Sequence, residues 1–524
     1  MRIFYSLLIL AAISFGGRTV AQEKNANVPP GLDEYIGQVM KTFDVPGMSV
    51  AIVKDGKVVM AKGFGVRQAG KEEPVDFHTL FAIASNSKAF TATALALLVE
   101  KGKVKWDNPI IDYIPWFRLS NPYVTSEITV RDILVHHSGL GLGEGDLLLW
   151  PTTDYTGKEI AMHLRYLPLR TSFRSTFAYD NVLYLVAGQL IKSVSGESWE
   201  DFVTRNIFDR IGMTGSIADI ARLPGEKNFA EPHAILDGKL TVARLHVDKV
   251  TDPLGGICSN AADIAKWMIV QLDSGRAENG TRLFPAAETA QLWNMVTPIP
   301  VSKVPEYLSP FQQNFLGYGL GFFLTDYRGY KMVYHPGGLT GYVSKVTMIP
   351  ALKLGVAVLT NQESDYAYNA ITYRILDYYM HAPAFDWLEG FETAKMKSDS
   401  ADSALQSETN LSHDSTSHPS LPLAEYAGTY NDPWYGDVTI SMDDGHLVMR
   451  FTHTARLVAD LIHWQYDTFI ARWRDRQLRA DAFVTFDLNP DGSIDRLKMK
   501  AVSPATDFSY DFQDLDLRPV PAPK

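Results

Sequence analysis

Cysteine is almost absent from this sequence: Cys258 is the only thiol among 524 residues. One thiol cannot close an internal disulfide, so the fold has to rely on packing. Cys258 lies in the segment "LGGICSNAADIAKWM", which is rich in small and apolar residues. In that context a buried structural cysteine is expected in preference to a reactive one.

Positive charge is also in short supply. The chain has 49 Lys and Arg against 60 Asp and Glu, a formal net charge of -11, and it contains no basic run. This balance argues against nucleic acid as a main partner. Beyond the N-terminus no apolar stretch is long enough to span a bilayer, so no membrane span is expected.

Several catalytic and ligand-binding motifs are missing as well. The sequence has no Gly-x-Ser-x-Gly elbow, no glycine-rich phosphate loop and no His-Glu-x-x-His helix. The pair His136-His137 in "VHHSGLGLGEGD" does not replace them, because adjacent histidines point apart. We interpret that pair as loop packing near a cleft, and we expect neither a metal nor a cofactor.

The N-terminus has the pattern of a signal peptide. Arg2 precedes the apolar stretch "SLLILAAISFGG", and small residues follow, with a cleavage site predicted after Ala21. Residues 1–21 therefore predict export to the periplasm or secretion. The alternative is a buried N-terminal helix.

The pattern of residues 22–395 predicts an α/β domain. A hairpin with a turn at Asp55-Gly56 comes first, helical patterns dominate from about residue 85 to 290, and strand-like runs such as "LGVAVLTN" come last. This order favours one antiparallel sheet that joins distant segments and is flanked by helices.

The last quarter of the chain differs in character. Residues 396–420 are polar and Ser-rich, which predicts a flexible linker, and residues 421–524 contain short β-type runs typical of a small all-β barrel or sandwich. Its aromatic residues could line a ligand cavity, but a barrel core is favoured. These residues are Trp464, Tyr466, Phe469 and Trp473.

A serine and a lysine stand three residues apart where an apolar helix begins. Ser85 and Lys88 in "FAIASNSKAFTATALALL" would share one helix face. At the helix start, free backbone N–H groups would stabilise negative charge as it develops on a substrate. Lysine has a reference pKa of ~10.4, so it can accept the serine proton only if burial or nearby cations lower that value.

Two further segments support this pair. Tyr179 and Asn181 precede a helix; a phenol near an ammonium can have a lowered pKa and move protons, and an amide can donate to a substrate carbonyl while accepting from the lysine. His335 precedes Pro-Gly-Gly in a strand context, where Gly337 and Gly338 would let a substrate approach. The N–H groups of Ser85 and Gly338 would form an oxyanion hole.

The three segments Ser85–Lys88, Tyr179–Asn181 and His335–Gly337 resemble, in this order, the motifs of the serine β-lactamase and penicillin-binding-protein superfamily on its class C side. That side includes esterases, D-aminopeptidases and acyltransferases. The resemblance covers about residues 30 to 385, and the C-terminal part is similar to the small β-barrel appended to some of these hydrolases. It implies a sheet with an all-helical lobe and a site between the two.

The resemblance also implies a role for each motif residue. Ser85 would be the acylated nucleophile, Lys88 its proton acceptor, and Tyr179 the general acid/base for the leaving group and the deacylating water. Asn181 would position the substrate, and His335 would line the pocket. The penicillin-recognising members usually have Lys-Thr-Gly where this chain has His335-Pro-Gly, which implies esterase or peptidase activity and inefficient β-lactam turnover.

These observations predict an exported serine hydrolase that forms an acyl-enzyme on a small ester or amide. Water is the default acceptor, and an alcohol or amine acceptor would make the protein an acyltransferase. The alternative is a non-catalytic protein that binds or senses cell-wall peptides or glycans, with the barrel docking a partner.

Overall fold

The structure is a computed structural model that describes residues 28–245, 248–411 and 413–521. The signal peptide predicted for residues 1–21 lies outside the described residues. Within the described ranges, no helix combines the length and the apolar character needed to cross a bilayer.

Helices and strands alternate through the first three quarters of the chain. The strands are β1 (Gly47–Lys54), β2 (Lys57–Gly65), β3 (Phe81–Ala82), β4 (His233–Leu236), β5 (Lys239–Val242), β6 (Cys258–Ser259), β7 (Thr297–Ile299), β8 (Leu316–Tyr318), β9 (Phe323–Tyr327), β10 (Tyr330–Leu339), β11 (Tyr342–Ile349) and β12 (Leu354–Thr360). The helices are α1 (Leu32–Thr42), α2 (Ser87–Glu100), α3 (Pro122–Glu127), α4 (Gly157–His163), α5 (Val182–Ser195), α6 (Trp199–Val203), α7 (Asp209–Ile211), α8 (Asp252–Gly255), α9 (Ala261–Leu272), α10 (Ala286–Leu292), α11 (Asp365–Tyr379) and α12 (Trp387–Leu411).

One eight-stranded antiparallel sheet organises this part of the molecule. Its strand order is β2-β1-β12-β11-β10-β9-β8-β7. The N-terminal hairpin joins the late strands where β1 pairs with β12, in a register that runs from Met48 opposite Thr360 to Lys54 opposite Leu354. The predicted fold class, an antiparallel sheet flanked by helices, is confirmed.

Helices cover both faces of this sheet. Because side chains alternate along a strand, Val50 and Ile52 of β1 point to one face and Ala51 and Val53 to the other, and all four are buried. The first face packs against α1 and α11, and the second belongs to the core that contains α2 and α9. A sheet buried on both faces explains why β1 and β12 are almost continuously apolar.

Helix α2 is a core helix. Every residue from Ser87 to Leu98 is buried, and Phe90 stacks on Trp267 of α9 with 3.9 Å between ring centroids. A helix that is apolar on all sides has to be surrounded by protein. Its first turn, which carries Lys88, is therefore removed from water. Cys258 is buried nearby in β6, opposite Ala82 of β3, in the structural position that its sequence context predicted.

The first part of the Ser-rich segment 396–420, for which a flexible linker is predicted, is helical, because α12 continues to Leu411. Trp387 and Phe391 anchor the start of α12 in the core with α11, and the serines are accommodated because their hydroxyls bond carbonyls one turn back, as Ser400 does with Met396. The division of the chain into domains at residues 395 and 421 stays a prediction.

The C-terminal part is an all-β, nearly closed barrel, as predicted. Its strands follow the order β19-β18-β17-β16-β15-β14-β13-β20. They are β13 (Gly428–Asp432), β14 (Gly436–Asp443), β15 (His446–Phe451), β16 (Val458–Gln465), β17 (Thr468–Trp473), β18 (Ala482–Leu488), β19 (Ile494–Ala501) and β20 (Arg518–Pro519).

Only half of the aromatic residues singled out in the barrel belong to its core. Phe469 and Trp473 are buried, as the core interpretation requires. Trp464 instead stacks on His413 outside the core, with 3.9 Å between centroids, and Tyr466 is exposed at the turn between β16 and β17. The difference arises because a β-bulge between His463 and Gln465, just before this turn, interrupts the alternation of inward- and outward-pointing side chains along β16.

We expect Asp377→Ala to lower the free energy of unfolding by about 3–5 kcal/mol, because Asp377 is a buried carboxylate that links three elements. It accepts bonds from the Tyr327 hydroxyl, the Arg328 guanidinium and the Trp387 indole. Urea denaturation followed by fluorescence measures the change. Asp399→Ala is the control, since it breaks an exposed pair with Lys395 and should cost less than about 1 kcal/mol. Equal losses in the two variants would contradict the prediction.

Candidate active site

The candidate nucleophile stands on a short turn between a strand and a helix. β3 pairs with β6, and the 3-10 turn Ala84–Asn86 follows β3 and runs directly into α2. Ala84 has a φ of 48°, the left-handed region that a non-glycine residue adopts only where its surroundings enforce it. This turn leaves Ser85 partly exposed at the mouth of α2.

Lys88 lies one turn into α2 and is completely buried. Its Nζ donates to Ser85 Oγ at 3.0 Å, to Asn181 Oδ1 at 2.8 Å and to the Leu254 carbonyl at 3.0 Å. Burial lowers the pKa of Lys88 to about 7, against the opposing effect of two nearby carboxylates, Asp146 and Asp180. A substantial fraction of Lys88 is therefore neutral near pH 7 and can accept a proton.

Tyr179 reaches the same place from the loop before α5. Its ring centroid lies 4.9 Å from Lys88 Nζ, and its phenol lies beside Ser85. The expectation that the lysine would lower the tyrosine pKa is wrong. Burial raises the pKa of Tyr179 well above its usual value, and Asp146 and Asp180 add to that effect. The phenol is thus protonated at neutral pH, which makes it a proton donor.

His335 is held neutral on β10. The Tyr318 hydroxyl donates to His335 Nε2 at 2.8 Å, and His335 Nδ1 donates to the Pro336 carbonyl at 2.5 Å, which assigns the ring proton to Nδ1. Burial, followed by the charge of Lys88, lowers the pKa of His335 well below its usual value. The third motif therefore brings an uncharged group to the site.

The motif residues surround one cavity of about 520 Å³. Its wall includes Ser85, Tyr179, Asn181, His335, Gly337 and Gly338. Lys88 lies behind Ser85 and bonds it, so the structure brings all the predicted site residues together. Much of the remaining wall is apolar: it includes Leu149, Trp150, Phe177, Leu254, Phe323 and Leu339. Such a cavity suits a small or medium-sized substrate with few charged groups.

Sequence reasoning missed two buried carboxylates beside the lysine. Asp146 accepts from Asn181 Nδ2 at 2.7 Å, and Asp180 accepts from the Ser138 hydroxyl at 2.9 Å. Burial raises the pKa of each carboxyl to about 7. Asp180 lies inside the Tyr179–Asn181 motif, so its position was available as a signal. Asp146 follows two glycine turns in a loop whose shape the sequence did not reveal.

His136 belongs to the environment of Tyr179. The two rings stack with 4.2 Å between centroids, and His136 Nδ1 accepts from the Asp180 backbone N–H. Its neighbour His137 points away and bonds Asp132 and Thr297. The interpretation of this pair as packing near the cleft agrees with these contacts.

The fold and these motifs define a protein of the β-lactamase and transpeptidase type. A family model described as Beta-lactamase matches residues 32–379, and the chain therefore belongs to the Beta-lactamase family. A second family model, described as a domain of unknown function (DUF3471), matches residues 412–519, the region of the barrel.

Known proteins resemble the chain over most of its length. Unguisins hydrolase ungD of Aspergillus violaceofuscus (strain CBS 115571) is 29% identical over 79% of this chain and 77% of its own. Penicillin-binding protein 4 of Amycolatopsis lactamdurans is 25% identical over 60% of this chain and 81% of its own.

Solved structures share the fold. The octameric penicillin-binding protein homologue from Pyrococcus abyssi superposes with a TM-score of 0.58 at 21% identity, covering 90% of this chain and 97% of that one. The structure of SurE gives a TM-score of 0.53 at 18% identity, covering 94% of this chain and 98% of that one.

We expect Gly337→Ala to destabilise the protein by about 1–3 kcal/mol, because a Cβ at Gly337 would meet the Ile83 carbonyl oxygen at 2.2 Å and Ser344 Oγ at 2.5 Å. The strand would have to move away from the turn that carries Ser85. Gly338→Ala is a matched control, since nothing lies within 4 Å of its added Cβ. Thermal unfolding of both variants tests this prediction, and equal stabilities would contradict it.

Proposed function

We propose that the protein is a serine hydrolase that forms an acyl-enzyme at Ser85 on a small ester or amide. One observation carries this proposal: the Ser85 hydroxyl lies 3.0 Å from a buried lysine whose pKa is lowered to about 7. A hydroxyl becomes a useful nucleophile when a base of suitable pKa takes its proton.

In the proposal, acylation begins at Ser85. Ser85 Oγ attacks the substrate carbonyl carbon and passes its proton to Lys88, and the N–H groups of Ser85 and Gly338 stabilise the carbonyl oxygen as it becomes negative. The bond to the leaving group breaks as Tyr179 donates its phenol proton to that group. Tyr179 recovers a proton from the Lys88 ammonium.

Deacylation uses the same groups in reverse. Water attacks the acyl carbon and gives up a proton through Tyr179 to Lys88. The bond between the acyl carbon and Ser85 Oγ breaks, and Oγ takes the proton back. An alcohol or an amine that replaces water would lead to acyl transfer, and hydrolysis remains the proposed default.

The relatives support a hydrolase in the proposal. One is described as an unguisins hydrolase and another as a penicillin-binding protein. A cavity of about 520 Å³ with a largely apolar wall can accept a short peptide segment or an ester of similar size. Residues 1–21 support a further proposal, that the enzyme acts in the periplasm or after secretion.

We expect a fluorophosphonate probe to label wild-type protein at Ser85, with a rate that rises with pH around a midpoint near 7 as Lys88 loses its proton. Mass spectrometry of the labelled peptide identifies the residue. Ser85→Ala should abolish labelling, whereas Ser87→Ala should retain it, because the Ser87 hydroxyl instead accepts from the Ile257 N–H. An unlabelled wild-type protein would favour the non-catalytic binding alternative.

We expect slow turnover of nitrocefin, at least about a hundredfold below that of a p-nitrophenyl ester in kcat/KM. The neutral His335 and Pro336 offer neither the permanent charge nor the hydroxyl that would hold a carboxylate, and each such contact is worth ~1.5–3 kcal/mol. Absorbance assays on one enzyme preparation compare the two substrates. Nitrocefin turnover as fast as ester turnover would refute the inference from His335 and Pro336.

A further inference from the structure

The C-terminal barrel contributes a turn to the wall of the active-site cavity. This turn, residues 507–511, follows β19, and its members Asp507, Phe508 and Ser509 line the same cavity as Ser85. Phe508 meets Tyr179 edge to face with 6.0 Å between centroids. The barrel is therefore in direct contact with the proton donor.

A chain of hydrogen bonds runs from this turn to the lysine. The Ser509 hydroxyl donates to Asp146 Oδ2 at 2.8 Å, and Asn181 Nδ2 donates to the same oxygen at 2.7 Å. Asn181 Oδ1 accepts from Lys88 Nζ at 2.8 Å. Ser509 is 9% exposed and Asp146 is fully buried, so water competes little for these bonds.

The chemistry of these groups fixes the orientation of the Asn181 amide. An ionised carboxylate only accepts hydrogen bonds and an ammonium only donates them, so the NH₂ end of Asn181 has to face Asp146 and the oxygen end has to face Lys88. Asp146 Oδ1 has no partner among the described residues. Ser509 thus supplies one of two side-chain donors to a buried carboxylate, and its loss would leave Asn181 alone.

A second contact from the same turn holds the loop that carries Asp146. Asp511 is fully buried, and its carboxylate accepts from the Gly145 N–H at 2.6 Å and the Leu147 N–H at 3.0 Å. The loop is tied to the catalytic side as well, because the Gly143 N–H donates to the Tyr179 carbonyl at 2.9 Å. The Asp146 loop is therefore hydrogen-bonded to the barrel on one side and to the Tyr179 segment of the hydrolase fold on the other.

We propose that Ser509 is a positioning residue of the active site: through Asp146 it holds the Asn181 amide against Lys88, so that the barrel completes the catalytic apparatus. This inference rests on the proposed function of Ser85 and Lys88. It assigns the C-terminal barrel a part in the reaction.

The titratable groups around Lys88 determine how the pKa of Lys88 responds to a substitution. The titratable side chains that face Lys88 are Asp146, Asp180, Tyr179, Tyr184, His136 and His335. The two phenols have raised pKa values and the two histidines have lowered ones, so these four groups are neutral near pH 7. The two aspartates alone among them bring negative charge that raises the pKa of Lys88, and Asp146 in turn faces Asp507 and Asp511.

Removing Ser509 changes that charge in a defined direction. The Ser509 bond favours the ionised form of Asp146, so Ser509→Ala raises the pKa of Asp146 and leaves it less negative where Lys88 titrates. With less negative charge nearby, the pKa of Lys88 falls. The midpoint of the rate profile should then move to lower pH, by less than in Asp146→Asn, for which the shift should reach about one unit.

The experiment measures the second-order rate of fluorophosphonate labelling and kcat/KM for p-nitrophenyl acetate on the full chain, from about pH 5 to about pH 9. For Ser509→Ala we expect the downward shift of the midpoint, together with a plateau about threefold to tenfold lower because Asn181 is held less firmly. Ser509→Thr keeps the hydroxyl and should restore both. Ser493→Ala is the matched control, since Ser493 bonds the carboxylate of Asp491 on the barrel and does not line the cavity.

Each result decides the inference. A Ser509→Ala variant with the wild-type midpoint overturns it, whether or not the rate falls uniformly, since a uniform fall indicates a structural role only. If Ser509→Ala does not fold, Asp146→Asn and Ser509→Thr replace it. A wild-type pH midpoint in Asp146→Asn overturns the inference. A midpoint shifted to lower pH in Asp146→Asn, together with a wild-type pH profile in Ser509→Thr, supports the inference. A labelled wild type with an unchanged Ser509→Ala refutes this inference alone, whereas an unlabelled wild type refutes the proposed function as well.

Discussion

The burial of Lys88 is the constraint on which the site depends. Removing an ammonium from water costs several kcal/mol, and the charged form persists only where acceptors and opposite charges compensate. Three oxygens accept from Lys88 Nζ, and Asp146 and Asp180 supply negative charge. Burial still has the larger effect, so the pKa settles at about 7, and a group that would be a permanent cation in water becomes able to take up and release a proton.

This constraint explains features of the fold that lie away from the cavity. Lys88 is buried because α2 is enclosed on all sides. Helices α5, α6 and α8 pack against α2, and so does α9, which also packs against β1 and β12. The pairing of β3 with β6 fixes where α2 begins, and the Ser344 hydroxyl on β11 bonds the Ile83 carbonyl just before Ser85. Strand β3, helices α2 and α8 and the late strands β10 and β11 therefore meet at the turn that carries Ser85, which explains why residues far apart in sequence have to fold together before the site exists.

Local features, and motifs whose order along the chain is typical of a family, could be predicted from the sequence. The hairpin at Asp55-Gly56, the sheet with its helices and the Ser85–Lys88 pair follow from turn chemistry and helical spacing, and three ordered motifs bring Tyr179, Asn181 and His335 to the same place. The pKa of Tyr179 was predicted in the wrong direction, because the nearby charge was visible in the motif but the complete burial of the phenol was not. The bond between Asp146 and Ser509 spans 363 residues, and no local pattern in either segment indicates the other.

Asp146 and Asp180 differ in which part of the chain supplies their hydrogen-bond donors. Asp180 is held within the hydrolase fold: the Ser138 hydroxyl donates to its Oδ2 and its backbone N–H donates to His136, while its Oδ1 has no hydrogen-bond partner among the described residues. Asp146 instead draws its second donor from the barrel, and the loop that carries it is held by Asp511. Two negative charges raise the pKa of one lysine, but only one of them depends on the C-terminal region. An attached domain that controls one of two compensating charges can adjust the basicity of Lys88 while the strands that form the cavity stay as they are.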